Sequence, residues 1–175
     1  MTNKGSNTLM MFAFAAAAFL NGCQKYSVSV NDNVVYTPAP IFKDFHIVDL
    51  QLKTCVEQTL QDLHITRAQD LTRLNCSDAG IKSLDGLAKF SALESLNLAH
   101  NELRNISELN KLGQLQELIL AHNHIKEAAP LLTLLHLQLL SLENNPELSC
   151  GDITQLKANL DSKLFKITLP SQCTH

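Results

Sequence analysis

Five cysteines and seven histidines are the side chains of this 175-residue chain whose chemistry depends most on where they stand. Cysteine can carry lipid, ligate zinc or close a disulfide, and spacing separates these uses. Cys23 stands apart near the N-terminus, leaving Cys55, Cys76, Cys150 and Cys173 as an even set. Four cysteines allow three connectivities. The spacing favours Cys55 with Cys76 and Cys150 with Cys173, each closed loop of about twenty residues adding roughly 3 kcal/mol in the chain-entropy model. Zinc is the rival use, but no CxxC occurs, and one four-cysteine site would have to join two distant parts of the chain. His100 and His122 recur in two AHN triplets, with Asp78 one period earlier. Two imidazoles beside a carboxylate can hold a metal ion or respond to pH, although duplication of a harmless histidine accounts for them more simply. No GxSxG, HExxH or P-loop occurs, so neither an enzyme nor a cofactor is expected. Fourteen Lys and Arg against seventeen Asp and Glu give a net charge of −3 without a basic block, which excludes nucleic acid as a partner.

The scaffold that must position these groups is one unit written four times. Copies at 71–92, 93–114 and 115–136, and a partial one from 137, share LxxLxLxxN in one register. The first two strand positions are Leu in every copy, and the third is Leu98, Leu120 and Leu142, with Cys76 in the first. Position nine is Asn101, Asn123 and Asn145, with Ala79 standing in once. The pattern matches the leucine-rich repeat. No single unit can bury its own leucines, so stacking must do it. Strand leucines point inward by period-two alternation, and the return segments add Ile81, Leu84, Leu87 and Phe90, then Leu103, Ile106, Leu109 and Leu112, then Ile125, Ala128, Leu131 and Leu134. Each fully buried Leu contributes about 1.5 to 3 kcal/mol. The asparagines are expected to form a structural ladder, satisfying backbone groups that turn inward where the chain leaves the strand.

An open stack needs caps. Leu52, Cys55, Val56, Thr59, Leu60 and Leu63 make the stripe of an amphipathic helix within a cap over 45–70. Beyond 148 the repeat dissolves into a C-terminal cap over 149–175. There Asp152 is placed to cap a short helix carrying Ile153, Leu156 and Leu160, followed by an extended segment with Leu164, Phe165, Ile167 and Leu169. The expected architecture is an α/β leucine-rich-repeat solenoid of about four 22-residue repeats over 71–148, with a helical N-terminal cap and an α/β C-terminal cap.

The N-terminus reads as an address. Lys4 precedes an apolar run at residues 9–20, too short to span a hydrocarbon core of about 30 Å, which is the pattern of a signal peptide. Leu20-Asn21-Gly22-Cys23 resembles a bacterial lipobox, with Asn21 where Ala or Ser is usual. The resemblance implies a signal peptide over 1–22, acylation of Cys23 and, because Gln24 follows rather than Asp, an outer-membrane lipoprotein facing the periplasm or the outside. Residues 23–44 read as a lipidated tether, in which YSVSV and VVY around Asn31-Asp32-Asn33 have the makings of a small hairpin. Over 45–175 the 22-residue period, the helical cap and segments such as CSDAGIKSLDGL and LNLAHNEL resemble the internalin-type repeats of bacteria, and in detail disulfide-capped lipoproteins of Gram-negative bacteria.

That resemblance implies a monomeric protein-binding module that uses the concave strand face, with no particular partner named. Positions two, three, five, seven and eight of each copy are expected to face solvent there, among them Arg73, Glu94, Ala99, His100, Glu117, Ala121 and His122. Ile119 and Leu139 are the aliphatic exceptions on this polar face, expected on adjacent strands about 4.8 Å apart as an apolar anchor. Two other readings stand beside this one: an accessory subunit that docks an envelope machine by its convex face or caps, and a metal- or pH-responsive site at His100 and His122.

Overall fold

The structure, a computed structural model, describes residues 28–30, 33–36, 40–160 and 166–174. The signal peptide, Cys23, and Leu164 and Phe165 of the C-terminal cap lie outside the described residues. The chain divides into two units, Met1–Ala39 and Pro40–His175. In the first, β1 (Val28–Val30) pairs antiparallel with β2 (Asn33–Tyr36), the small hairpin that the sequence around Asn31-Asp32-Asn33 suggests.

In the second unit, β3 (Arg73–Asn75), β4 (Ser95–Asn97), β5 (Glu117–Ile119), β6 (Leu139–Ser141) and β7 (Lys166–Thr168) form one parallel sheet in chain order. The first four align at a strict 22-residue step, Leu74 beside Leu96, Leu118 and Leu140. The short strands return through 3₁₀ turns at Leu87–Lys89, Ser107–Lys111 and Ala129–Thr133. Strand leucines and all twelve return residues anticipated from the pattern are buried in a single core. The extended segment of the C-terminal cap is a fifth strand of the same sheet, Lys166 registering with Leu139.

The N-terminal cap contains α1 (Leu50–Asp62), which buries Leu52, Val56 and Leu60 on the stripe that the sequence marks. Leu63 departs from that stripe and is 58% exposed, because the helix has already ended there. Beyond it His64 adopts a left-handed φ of 54°. This lets His64 N–H donate to Gln61 O and Ile65 N–H to Leu60 O, a Schellman closure that turns Ile65 back onto Leu60. Packing also begins earlier than residue 45. Phe42 N–H donates to Ile65 O at 2.9 Å, and Phe42 and Phe45 enclose Phe90 at centroid distances of 6.1 and 5.3 Å. Residues 40–44 thus pack with the second unit. The chain here runs so close to the first repeat that Gly86, at φ 94°, has no room for a side chain: a Cβ would lie 1.9 Å from His46 O.

At the far end α2 (Gly151–Asn159) buries Ile153 and Leu156, with Leu160 buried as it leaves the helix. Asp152 does not cap it. The N-cap is Cys150, which makes no side-chain capping bond, and Asp152 sits in the first turn, where a carboxylate favours the helix dipole. Disulfides join Cys55 to Cys76 and Cys150 to Cys173, tying α1 to the first strand and closing the C-terminal cap.

One carboxylate holds α1 to the repeats. Asp49 caps the helix through Oδ1, which accepts from Gln51 N–H at 2.9 Å and Leu52 N–H at 3.0 Å. Its Oδ2 accepts from Lys82 N–H at 2.8 Å and Ser83 N–H at 3.1 Å in the first repeat. Partial burial opposes its charge, but the four backbone donors outweigh that and hold the carboxyl below its ordinary value. A depressed folded value means the contribution is complete above about pH 4 and is lost as pH falls through the folded value. Asp49→Ala is expected to cost about 2 kcal/mol at neutral pH, the sum of a lost cap and two lost cross-links. In urea titrations the gap from the parent protein should narrow below about pH 4; a gap independent of pH would show that the charge contributes nothing.

Candidate protein-binding face

The concave face is built on the asparagine ladder. Asn101 Nδ2 donates to the carbonyls of Cys76, Leu98 and Ala99, while its Oδ1 accepts from Ala79 and Ile81 N–H. Asn123 and Asn145 repeat the scheme one unit on, reaching Leu98 and Leu120 O in the preceding repeat and accepting from Leu103 and Ile125 N–H. All three are buried, and each spends its amide on two neighbouring repeats, so none is free for a ligand. What the ladder provides is a constant strand exit.

That exit explains the histidines. Asp78, His100, His122 and Asn144, the eighth residue of each copy, all adopt φ between 55° and 57°. Among non-glycine residues, Asn, Asp and His enter this left-handed region most readily, so the position selects these types before any ligand does. The sequence carried this signal in the Asp-His-His-Asn column, and the functional reading of the pair passed over it. The His100 and His122 rings are stacked, with centroids 4.0 Å apart and planes 13° from parallel. Asn144 Nδ2 lies 3.0 Å from His122 Nε2. Near-parallel rings keep their in-plane lone pairs in two separate planes. Among the described residues no group of three or more His, Cys, Asp or Glu is placed to hold a metal.

Across the strands the side chains fall into two rows. Arg73, Ser95, Glu117, Leu139 and Lys166 are in register, and so are Asn75, Asn97, Ile119, Ser141 and Thr168. Ile119 and Leu139 are therefore not opposite one another. Ile119 stands beside Ser141 and Leu139 beside Glu117, so the aliphatics are diagonal neighbours, about 7–8 Å apart rather than 4.8 Å. Both are half-buried. Ala99 and Ala121, expected to face solvent, are buried where the strand turns into the exit, leaving the groove floor smooth between the rows and the histidine column. Ser95 Oγ donates to Glu117 Oε2 at 3.1 Å. Every ion pair among the described residues lies off this face. The largest gathers Arg104, His124 and Lys126 around Glu147, with Lys126 first in holding that carboxyl below its ordinary value. Beside it, His122, His124, Asn144, Pro146, Pro170 and Gln172 help line an open cavity of about 480 Å³ at the C-terminal end of the strand exits.

The fold is that of the leucine-rich repeats. Residues 69–111 match the family model described as leucine-rich repeats in two copies. An internalin of Listeria monocytogenes superposes on 77% of this chain with a TM-score of 0.62 and 28% sequence identity, and the match covers 39% of the internalin chain. Internalin C2 of the same organism shares the fold at a TM-score of 0.55 and 20% identity, over 69% of this chain and 57% of its own. The chain thus spans less than two thirds of either internalin. No curated protein matches it. These likenesses point to a bacterial leucine-rich-repeat protein, and such repeats typically serve as protein-interaction modules.

If backbone conformation alone sets position eight, His100→Asn should leave the melting temperature nearly unchanged, whereas His100→Val should cost about 1–2 kcal/mol. Equal losses in thermal melts of the two variants would assign the imidazole itself a structural or binding role.

Proposed function

We propose that the chain is a lipid-anchored outer-membrane protein that captures a protein partner in the concave groove of its repeats. The observation that carries this reading is a sheet face that no other described element of the repeat unit covers, on which half-buried Ile119 and Leu139 lie among the charges of Arg73, Glu117 and Lys166. Side chains needed for stability are elsewhere, as leucines inside and asparagines in the ladder, so the identities on this face are free to serve recognition. The histidine column forms one wall of the same groove, where His100 and His122 offer ring edges to a partner. Anchoring rests on the apolar leader and on Leu20-Asn21-Gly22-Cys23, which would hold the groove close to the membrane surface.

The test is photocrosslinking in cells carrying the intact chain. A crosslinker at position 119 should give a discrete protein adduct. One at position 110, exposed on the convex 3₁₀ turn, should give none. Adducts from 110 alone would move binding to the convex face. In the same cells Cys23→Ser should shift the protein from the membrane pellet to the soluble fraction, and unchanged pelleting would overturn the anchor.

A further inference from the structure

Glu117 occupies an unusual place on the groove floor. Ser95 flanks it on one strand and Leu139 on the next, with Ile119 two residues along its own strand. It is exposed, and its side-chain bond among the described residues comes from the Ser95 hydroxyl rather than from a cation. Arg73 stands two strands away in the same row, and Lys166 two strands away on the other side. At about 4.8 Å per strand the row reads cation, hydroxyl, carboxylate, aliphatic, cation over roughly 19 Å. None of its three charges enters an ion pair among the described residues, although Lys and Arg elsewhere on the domain find Asp or Glu within 4 Å repeatedly. An apolar spot that contains a carboxylate suits neither a wholly apolar partner, which would strip water from Glu117 without return, nor an acidic one, which Glu117 would repel.

We infer that the groove takes a polypeptide segment presenting a Lys or Arg beside an aliphatic side chain, with acidic residues toward both ends. The cation meets Glu117 and makes a charge-assisted bond to the oxygen that Ser95 leaves open. The aliphatic group settles on the diagonal between Ile119 and Leu139. The acidic ends face Arg73 and Lys166, which aligns the segment across the strands rather than along them. This rests on the concave-face reading proposed above and adds the chemistry of the partner.

The experiment is selection from a displayed random-peptide library on the full-length chain in detergent micelles, repeated on Glu117→Lys and on the double variant Ile119→Arg, Leu139→Arg. Peptides enriched on the parent chain should share a basic residue next to an aliphatic one. They should weaken about tenfold on Glu117→Lys. Exchanging their basic residue for Glu should restore binding to that variant. Peptides lost on the double variant but indifferent to Glu117→Lys would overturn the partner chemistry while keeping the groove. Peptides indifferent to both substitutions would overturn the concave-face reading itself. Enrichment of acidic peptides, or of none, would overturn the inference.

Discussion

A strand that ends by turning its backbone toward the interior leaves carbonyls and N–H groups where water cannot follow, and unpaired groups of that kind cost about 1–3 kcal/mol each. One side-chain amide settles several at once. Asn123 touches the carbonyl of Leu98 in the repeat before it, those of Leu120 and Ala121 in its own, and the N–H of Leu103. Because each amide spans two units, it fixes the offset between them as well as the turn within one. Leucine burial drives the stack together at the 22-residue step that aligns Leu74, Leu96, Leu118 and Leu140, and the ladder locks that register. Parallel strand pairing, the left-handed residue at position eight and the stacked histidines follow from that offset.

The ladder also explains why the ends need different devices. Ala79 stands where the first asparagine would be, so no amide reaches toward the N-terminal cap from that copy. Asp49 does comparable work from the other side, its carboxylate bridging the start of α1 and the Lys82–Ser83 backbone. Cys76 sits at an inward leucine position and is bonded to Cys55 of α1. At the C-terminus the Asn145 side chain reaches back to Leu120 O and Ile125 N–H in the preceding repeat, and Gln172 donates to its main-chain carbonyl from the far side. The fifth strand then satisfies the edge of β6 through Leu142 N–H to Thr168 O. Each cap is a substitute for a missing neighbour.

What the sequence displays and what it hides divide along the same line. The return-row core and the strand register are legible because a 22-residue step repeats the same demand four times, and α1 is legible because its stripe is local. Asp49 is not, since it stands outside the repeats and the partners it bridges to lie 33 and 34 residues away. Strand β7 breaks the period with a step of 27 residues from Leu139 to Lys166, so its extended pattern gave no register. The diagonal of Ile119 and Leu139 was present in the numbering, since one is the fifth residue of its copy and the other the third. Treating adjacent strands as adjacent side chains concealed it.

Periodicity separates fold from function in this chain. A residue that recurs at 22-residue intervals answers a requirement that every repeat shares, which must be internal: leucine for the core, asparagine for the exit, a left-handed-tolerant type at position eight. Partner recognition imposes no such repetition, because a bound protein is not itself a stack of identical units. The informative positions are therefore the aperiodic ones on the exposed face. Position three runs Arg73, Ser95, Glu117, Leu139, and position five Asn75, Asn97, Ile119, Ser141, with little repetition from copy to copy. His100 and His122 repeat and so belong first to the scaffold. Glu117 with its aliphatic neighbours does not, and the scaffold's chemistry offers no reason for it.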